Sequence, residues 1–226
     1  KPLSLKLYPR EVLGLAGLKG SGRTELIHIL FGLDPITGGD MLLNGKKVNF
    51  QHPNDAVKAG IFLVPENRQT QGLVLEHDLY QNMTLPWLRR LARKNHLVND
   101  SNGAKIVNNT IEQLEIKCNS LRDTIKNLSG GNQQKVVIGK ALGSRPKILL
   151  MDDPTYGVDV HAKMQIMEIV DQFKQEGGSV VFVSSELEEV ANNCDRILVL
   201  RRHRIISELN NDGGSVSDEE LAAAIQ

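Results

Sequence analysis

Short apolar runs that stop at glycine, proline, serine or acid alternate along this chain with stretches whose apolar residues recur every three or four positions. Val12 to Ala16, Ile61 to Val64, Ile148 to Met151 and Ser179 to Val183 are too short for helices and carry few polar residues, the pattern of strands buried in a parallel sheet. Glu25 to Phe31, opened by Thr24 and closed by Gly32, predicts an amphipathic helix. So do Ile106, Val107, Thr110, Ile111 and Leu114, with Asn99 to Gly103 expected as the loop before them. Val136, Val137, Ala141 and Leu142 predict another, starting near Ser129. Ala162, Ile166, Ile169, Val170 and Phe173 predict a fourth, and the acidic run Glu186 to Asn192 and the tail with Leu221 and Ile225 predict shorter ones. Two hairpins punctuate the series. Met41 to Val48 turns at Asn44-Gly45, which tolerates the positive φ of a type I′ turn. Arg196 to Leu200 and Arg204 to Ile206 turn across Arg202-His203, where histidine visits positive φ more readily than most residues. From Leu85 to about Leu142 the character is helical, so the pattern predicts an α/β fold with antiparallel β hairpins and an inserted α-helical subdomain.

Composition narrows the class. The 226 residues allow one large or two small domains with a real core. Basic and acidic residues balance at 27 each, without the basic excess of a nucleic-acid binder, so nucleic acid is not expected as a partner. No apolar run approaches the roughly 20 residues that cross a bilayer. Lys1 to Arg10 lacks the apolar core and cleavage site of a secretion signal. Cys118 and Cys194 stand apart, which fits a reducing cytoplasm better than a disulfide framework. Trp87, the single tryptophan, is either a packing residue, the expectation here, or part of a partner-facing patch.

The candidate chemistry sits where strands end. Gly17-Leu18-Lys19-Gly20-Ser21-Gly22-Arg23-Thr24 has the G-x-x-x-x-G-[KR]-T spacing of a phosphate loop, with Arg23 where lysine is expected. Its glycines can bring backbone N–H groups to an anion at the positive end of a helix. A tight strand-to-helix turn without ligand is the alternative. Pro65 to Gly72 is a polar, turn-rich segment after a buried strand, either a ligand-contacting loop or a solvated connection. Leu128-Ser129-Gly130-Gly131-Asn132-Gln133-Gln134-Lys135 puts a serine and two glycines at a helix start, either a second anion site or a plain N-cap. Asp152 and Asp153 close an apolar strand and are stopped by Pro154. Ser184-Ser185-Glu186 closes another, and His161 is expected on the surface.

In combination, the phosphate loop, the polar loop, the helical insert, LSGG before a helix, DD after one strand and SSE after another resemble the nucleotide-binding domain of ABC transporters over nearly the whole chain. The closer likeness is to the second ATPase half of the ATP-binding subunit of bacterial importers for ribose, xylose and galactose. It is carried by GLAGLxGxGRTEL, by PEnR at Pro65 to Arg68 and by SSEL at Ser184 to Leu187. The abrupt start then reads as a piece of a longer polypeptide. The resemblance implies a P-loop NTPase (RecA-like) core over residues 1–66 and 145–212, a helical subdomain over 67–144 and a tail over 213–226.

It also implies roles. Gly17, Gly20, Ser21, Gly22, Arg23 and Thr24 would cradle the phosphates of ATP, with Glu66 nearby. Thr24 and Asp152 would hold Mg²⁺, Asp153 would stand at the catalytic carboxylate and Ser185 at the residue bracing the γ phosphate. Ser129, Gly130, Gly131 and Gln133 would serve a nucleotide bound to the opposite ATPase domain, and Asp159 would cross that interface. Permease subunits and, indirectly, a sugar-binding protein are the implied partners, at the cytoplasmic face of the bacterial inner membrane. Arg23 for lysine, Glu66 for glutamine, Asp153 for glutamate and Ser185 for histidine depart from the family at one γ phosphate, so the expected site is slow or inert. A regulatory nucleotide-binding module and a non-transport ABC protein are the alternative classes.

Overall fold

The computed structural model describes residues 3–91, 100–211 and 214–226. In chain order come β1 (Val12–Ala16), α1 (Arg23–Phe31), the hairpin of β2 (Met41–Leu43) and β3 (Lys46–Val48), α2 (Pro53–Lys58) and β4 (Ile61–Val64). Next are α3 (Leu79–Thr84), a 3-10 turn at Leu85–Trp87, α4 (Leu88–Leu91), α5 (Asp100–Gln113) and α6 (Gly130–Gly143). The last part holds β5 (Ile148–Asp152), α7 (Val160–Gln175), β6 (Ser179–Val183), α8 (Leu187–Asn193), β7 (Arg196–Arg201), β8 (Arg204–Asn210) and α9 (Asp218–Ile225). The described residues group into two compact units. A sheet unit takes residues up to 63, 147–153 and 172–226; a helical unit takes 64–146 and 154–171.

In the sheet unit the strands run in the order β4-β5-β6-β1-β7-β8. β1 is parallel to β6 and β7, β5 is parallel to β6, and β8 is antiparallel to β7. β1 and β6 are buried at every position, as their unbroken apolar runs require of central parallel strands. Leu13, Leu15, Ile27, Leu150, Val181, Val183, Leu198 and Leu200 form the centre of the core. Both expected hairpins are present, with positive φ at Asn44 and Gly45 and at Arg202 and His203.

At the N-terminal end of β1 the sheet is closed by a buried ion pair. Arg196 Nε and Nη2 donate to the two carboxylate oxygens of Glu11 at 2.7 and 3.1 Å. Its other N–H groups reach Glu208 at 2.7 Å and the Lys6 carbonyl at 2.6 Å, and the guanidinium lies 5.0 Å from the centre of the Tyr8 ring. Cys194 is a free, buried thiol against Gly14, and burial pushes its pKa up.

In the helical unit α6 is packed through missing side chains. A Cβ on Gly139 would meet Met83 at 2.8 Å and Thr110 at 3.0 Å, and one on Gly143 would meet the Trp87 indole. Trp87 is buried, as expected, and its Nε1 donates to the Lys140 carbonyl at 3.1 Å. Lys140 Nζ in turn donates to the Gly72 carbonyl, and burial lowers its pKa from 10.5 to about 8. One expected loop is corrected: residues 100–103 are the first turn of α5, while Asn99 lies outside the described residues. Asp, Ser and Asn favour helix starts as well as loops. Gly103 is there for space, since a Cβ would meet the Tyr80 hydroxyl at 2.5 Å. Among the described residues no helix is long and apolar enough to cross a membrane.

Two outcomes follow from the buried charges. Glu11→Ala lowers the unfolding free energy by about 3 kcal/mol, the low end for a broken buried pair because Glu208 remains beside Arg196. Urea denaturation should show this as a lower midpoint at unchanged slope, and a loss below about 1 kcal/mol contradicts it. Because the Lys140 pKa is depressed on folding, the folded chain binds fewer protons than the unfolded one between about 8 and 10.5. Stability therefore rises through that window as the penalty of a buried ammonium is relieved. The rise measured for the native chain should exceed that of Lys140→Met, and equal slopes contradict it.

Candidate functional site

The parallel register sets three strand ends side by side: Leu15 pairs with Val183, and Val183 with Asp152. The loops leaving β1, β5 and β6 therefore converge at one edge of the sheet unit, where open α/β sheets bind ligands. Between β1 and α1 the chain is held by Ser21 N–H to the Leu18 carbonyl at 3.0 Å and by His203 N–H to the Ser21 carbonyl at 2.8 Å. Gly22 is the N-cap of α1 at φ 107°, and no side chain caps the helix. The orphan N–H groups of the first turn stay available to an anion. A side chain on Gly22 would strike His203 at 2.9 Å, whereas a Cβ on Gly20 would meet nothing within 4 Å among the described residues. The loop is thus packed on one side and open on the other.

Ser21 Oγ is buried and has no hydrogen-bond partner among the described residues. An unsatisfied buried hydroxyl is unfavourable, and here it stands in a loop of free backbone donors, which fits a phosphate oxygen as the missing partner. Thr24 Oγ1 donates to Asp152 Oδ1 at a long 3.5 Å, with Asp152 buried. Among the described residues no group of three or more His, Cys, Asp or Glu converges. A hard divalent cation at Thr24 and Asp152 would need phosphate oxygens and water to complete its shell, the usual state of Mg²⁺ beside nucleotides.

The three departures in this unit meet at the turn leaving β6. Arg23 Nη1 donates to the Ser184 carbonyl at 2.8 Å. Asp153 has φ 43°, its N–H donates to the Val183 carbonyl at 2.9 Å, and its Oδ1 accepts the Ser185 N–H at 2.5 Å. Ser184 is buried, with its hydroxyl donating to Glu189 at 2.6 Å and accepting the Glu186 N–H at 3.0 Å. Arg23 and Asp153 thus both attach to the turn leaving β6, and Ser185 offers that turn a main-chain N–H.

The other expected residues lie in the helical unit. Ser129 is the exposed N-cap of α6, and its Oγ accepts from Asn132 Nδ2 at 2.9 Å and from the Asn132 N–H at 3.4 Å. Asp159 is exposed and its Oδ1 accepts the Ala162 N–H at 2.9 Å at the start of α7. That backbone bond is the main cause of its lowered pKa. Gly131 lies beside this cap, because a Cβ there would meet Ala162 at 2.7 Å. Gln133 points inward, buried, with Nε2 donating to the Ile125 and Leu128 carbonyls at 3.2 Å each. Glu66 is exposed on the rim of an open cleft of about 220 Å³ shared with Asn67, Arg68, Gln69, Tyr156 and Gly157.

Arg68, which closes the PEnR motif but was given no role, bonds two carbonyls of this cleft: Nη1 reaches Tyr156 at 2.8 Å and Nη2 reaches Gly157 at 3.1 Å. An arginine in a polar loop after a buried strand is a signal of sorts. Its partners, 88 and 89 residues away, could not be read from the chain.

Comparison with known proteins matches the family model described as "ABC transporter" over residues 1–156. The ribose import ATP-binding protein RbsA of Geobacillus kaustophilus is 42% identical over 93% of this chain, covering 42% of that protein. The xylose import ATP-binding protein XylG of Moorella thermoacetica is 43% identical over 99% of this chain and 44% of its own length. The chain thus spans less than half the length of these relatives. Among solved structures, a nucleotide-free ATP-binding cassette from an ABC transporter aligns with TM-score 0.79 at 22% identity, covering 98% of this chain and 87% of that one. A dimeric cassette in a post-hydrolysis state bound to ADP and Pi aligns with TM-score 0.79 at 24% identity, covering 93% and 90%. These likenesses give the fold: a mostly parallel α/β sheet of P-loop NTPase type.

Removing the orphaned hydroxyl separates stability from binding. Ser21→Ala should leave the chain within about 0.5 kcal/mol of its stability or above it, since no bond within the chain is lost. It should weaken binding of inorganic tripolyphosphate by about tenfold or more, the worth of one bond to a charged group. Calorimetric titration beside a thermal melt checks both, and unchanged affinity contradicts the assignment.

Proposed function

The chain belongs to the ABC transporter family, and we propose that it is the ATP-binding, energy-coupling domain of a bacterial monosaccharide importer. It holds Mg-ATP weakly on its own phosphate loop and lends the helix start at Ser129 to the hydrolytic site of a partner ATPase domain. The observation that carries this reading is the pairing of an open loop with an orphaned Ser21 hydroxyl and two departures, Arg23 and Asp153, whose side chains already bond the turn leaving β6.

On this reading the free N–H groups of the first turn of α1 and the Ser21 hydroxyl bind phosphate oxygens. Thr24 and Asp152 are the residues that would hold Mg²⁺, which when bound draws charge from the phosphates. Arg23 braces the loop against the Ser184 carbonyl instead of meeting the γ phosphate as a compact ammonium. Asp153 keeps one oxygen on the Ser185 N–H and is a methylene shorter than glutamate, and a displacement of about 1 Å can lower a rate by about a hundredfold. Ser185 has no ring to fix a water. Hydrolysis at this loop is therefore slow, and the useful role passes to Ser129, Gly130 and Gly131, with Asp159 at the interface.

The partner ATPase domain, the permease subunits at the cytoplasmic face of the inner membrane and a sugar-binding protein belong to this proposal. The monosaccharide class rests on the ribose and xylose import proteins among the relatives. Closing two domains around nucleotide would drive the permease between its states.

Two measurements test the reading. Mg-ATP should bind the chain alone yet turn over below about 0.01 per second, two orders under the low end of ordinary enzymes; turnover above about 1 per second overturns the inert site. In the complete subunit Ser129→Arg should abolish transport, and undiminished transport removes the role of the helix start at Ser129.

A further inference from the structure

Three segments of the helical unit, far apart in sequence, meet at the guanidinium of Arg68. Nη1 and Nη2 donate to the carbonyls of Tyr156 and Gly157, the turn that leads to Asp159. Nη2 also fills the space a side chain on Gly130 would need, 2.7 Å from an ideal Cβ. Gly130 is the first residue of α6, directly after Ser129. One residue further, Gly131 is in close packing with Ala162, whose N–H is capped by Asp159. The arginine is itself aimed from both ends of its loop. Asn67 Oδ1 accepts the N–H groups of Gln69 and Thr70 at 3.2 and 3.1 Å, and Lys140 of α6 holds the Gly72 carbonyl. Burial lowers the Arg68 pKa, yet a guanidinium keeps its proton in proteins.

We infer that Arg68 is a positioning residue whose planar fork fixes the Ser129–Gly131 helix start and the Tyr156–Asp159 turn as one piece. The two segments assigned above to a partner domain's nucleotide are then presented in a single register. The loop after β4 decides that register, because it carries the fork. What the piece contacts rests on the proposed function; that it is one piece rests on the helical unit alone. Lysine at position 68 would keep the charge without the two fixed, coplanar N–H directions. Alanine at position 130 would insert a methyl where the fork lies, so losing the fork and adding the methyl should have one and the same effect.

The test uses Arg68→Ala, Arg68→Lys, Gly130→Ala and the double variant Arg68→Ala/Gly130→Ala. Amide hydrogen exchange in Arg68→Ala and Arg68→Lys should quicken about tenfold or more at Gly157 to Asp159 and at Asn132 and Gln133, with the amides of β1 and β6 unchanged. Gly130→Ala should reproduce the pattern, and the double variant should be no worse than Arg68→Ala, as expected of two changes that break one interaction. Native-like exchange in Arg68→Lys, unchanged exchange in Arg68→Ala or additive effects in the double variant would each overturn the inference. In the assembled transporter Arg68→Lys should lower kcat for ATP about tenfold and leave KM within about twofold; native kcat overturns its functional part. If Ser129→Arg leaves turnover intact, the proposed function fails, while the exchange experiment still decides the role of Arg68.

Discussion

The parallel pairing that brings Leu15, Val183 and Asp152 to one level is the constraint on which the proposed phosphate site depends. Neighbouring strands lie about 4.8 Å apart, so three loops leaving adjacent strands can place polar groups around one anion without any long side chain. That level is kept by strands buried on both faces, whose every side chain is committed to the core. A slip of one residue would turn each of them to the opposite face. At the other end of β1 the Glu11–Arg196 pair closes the sheet with charge-assisted bonds. The phosphate loop can be open because its surroundings are fixed.

The helical unit obeys a different rule, close approach through absent side chains. Gly139 and Gly143 seat α6 against Met83 and Trp87, and Gly130 and Gly131 seat its first turn against Arg68 and Ala162. A helix held in this way along its length has little freedom to tilt by itself. Buried Lys135 adds to the restraint by donating to the Glu115 carbonyl at 2.7 Å and to Gln165 at 3.1 Å. The Ser129 hydroxyl, turned to Asn132, is part of the same scaffold.

Much of this could be read from the residues. Unbroken apolar runs announce central strands, Asn44-Gly45 announces a hairpin, and Ala162, Ile166, Ile169, Val170 and Phe173 define a buried helical face that the structure reproduces. Local chemistry misled at residues 100–103, because cap-forming side chains read alike in a loop and in a first helical turn. What no local pattern carries is a tertiary hydrogen bond. Arg23 finds its acceptor 161 residues away and Arg68 its acceptors 88 and 89 away, while Gln133 turns inward to carbonyls that precede its own helix. The polar residue types at the strand ends could be read from the chain; the hydrogen bonds they make could not.

The bond from Arg23 to the Ser184 carbonyl bears on how the loop would meet the ligand proposed for it. A lysine in that place would have a phosphate as its natural counterpart and would be left searching when none is bound. The guanidinium is instead tethered by the fold, and His203 holds the other side of the loop at Ser21. Much of the ordering that ligand capture usually imposes is thereby completed during folding, and pre-organisation of this kind lowers the entropic penalty of association. On the proposed function the loop would act as a rigid receptor, in which occupancy registers as a filled cradle more than as a change of shape.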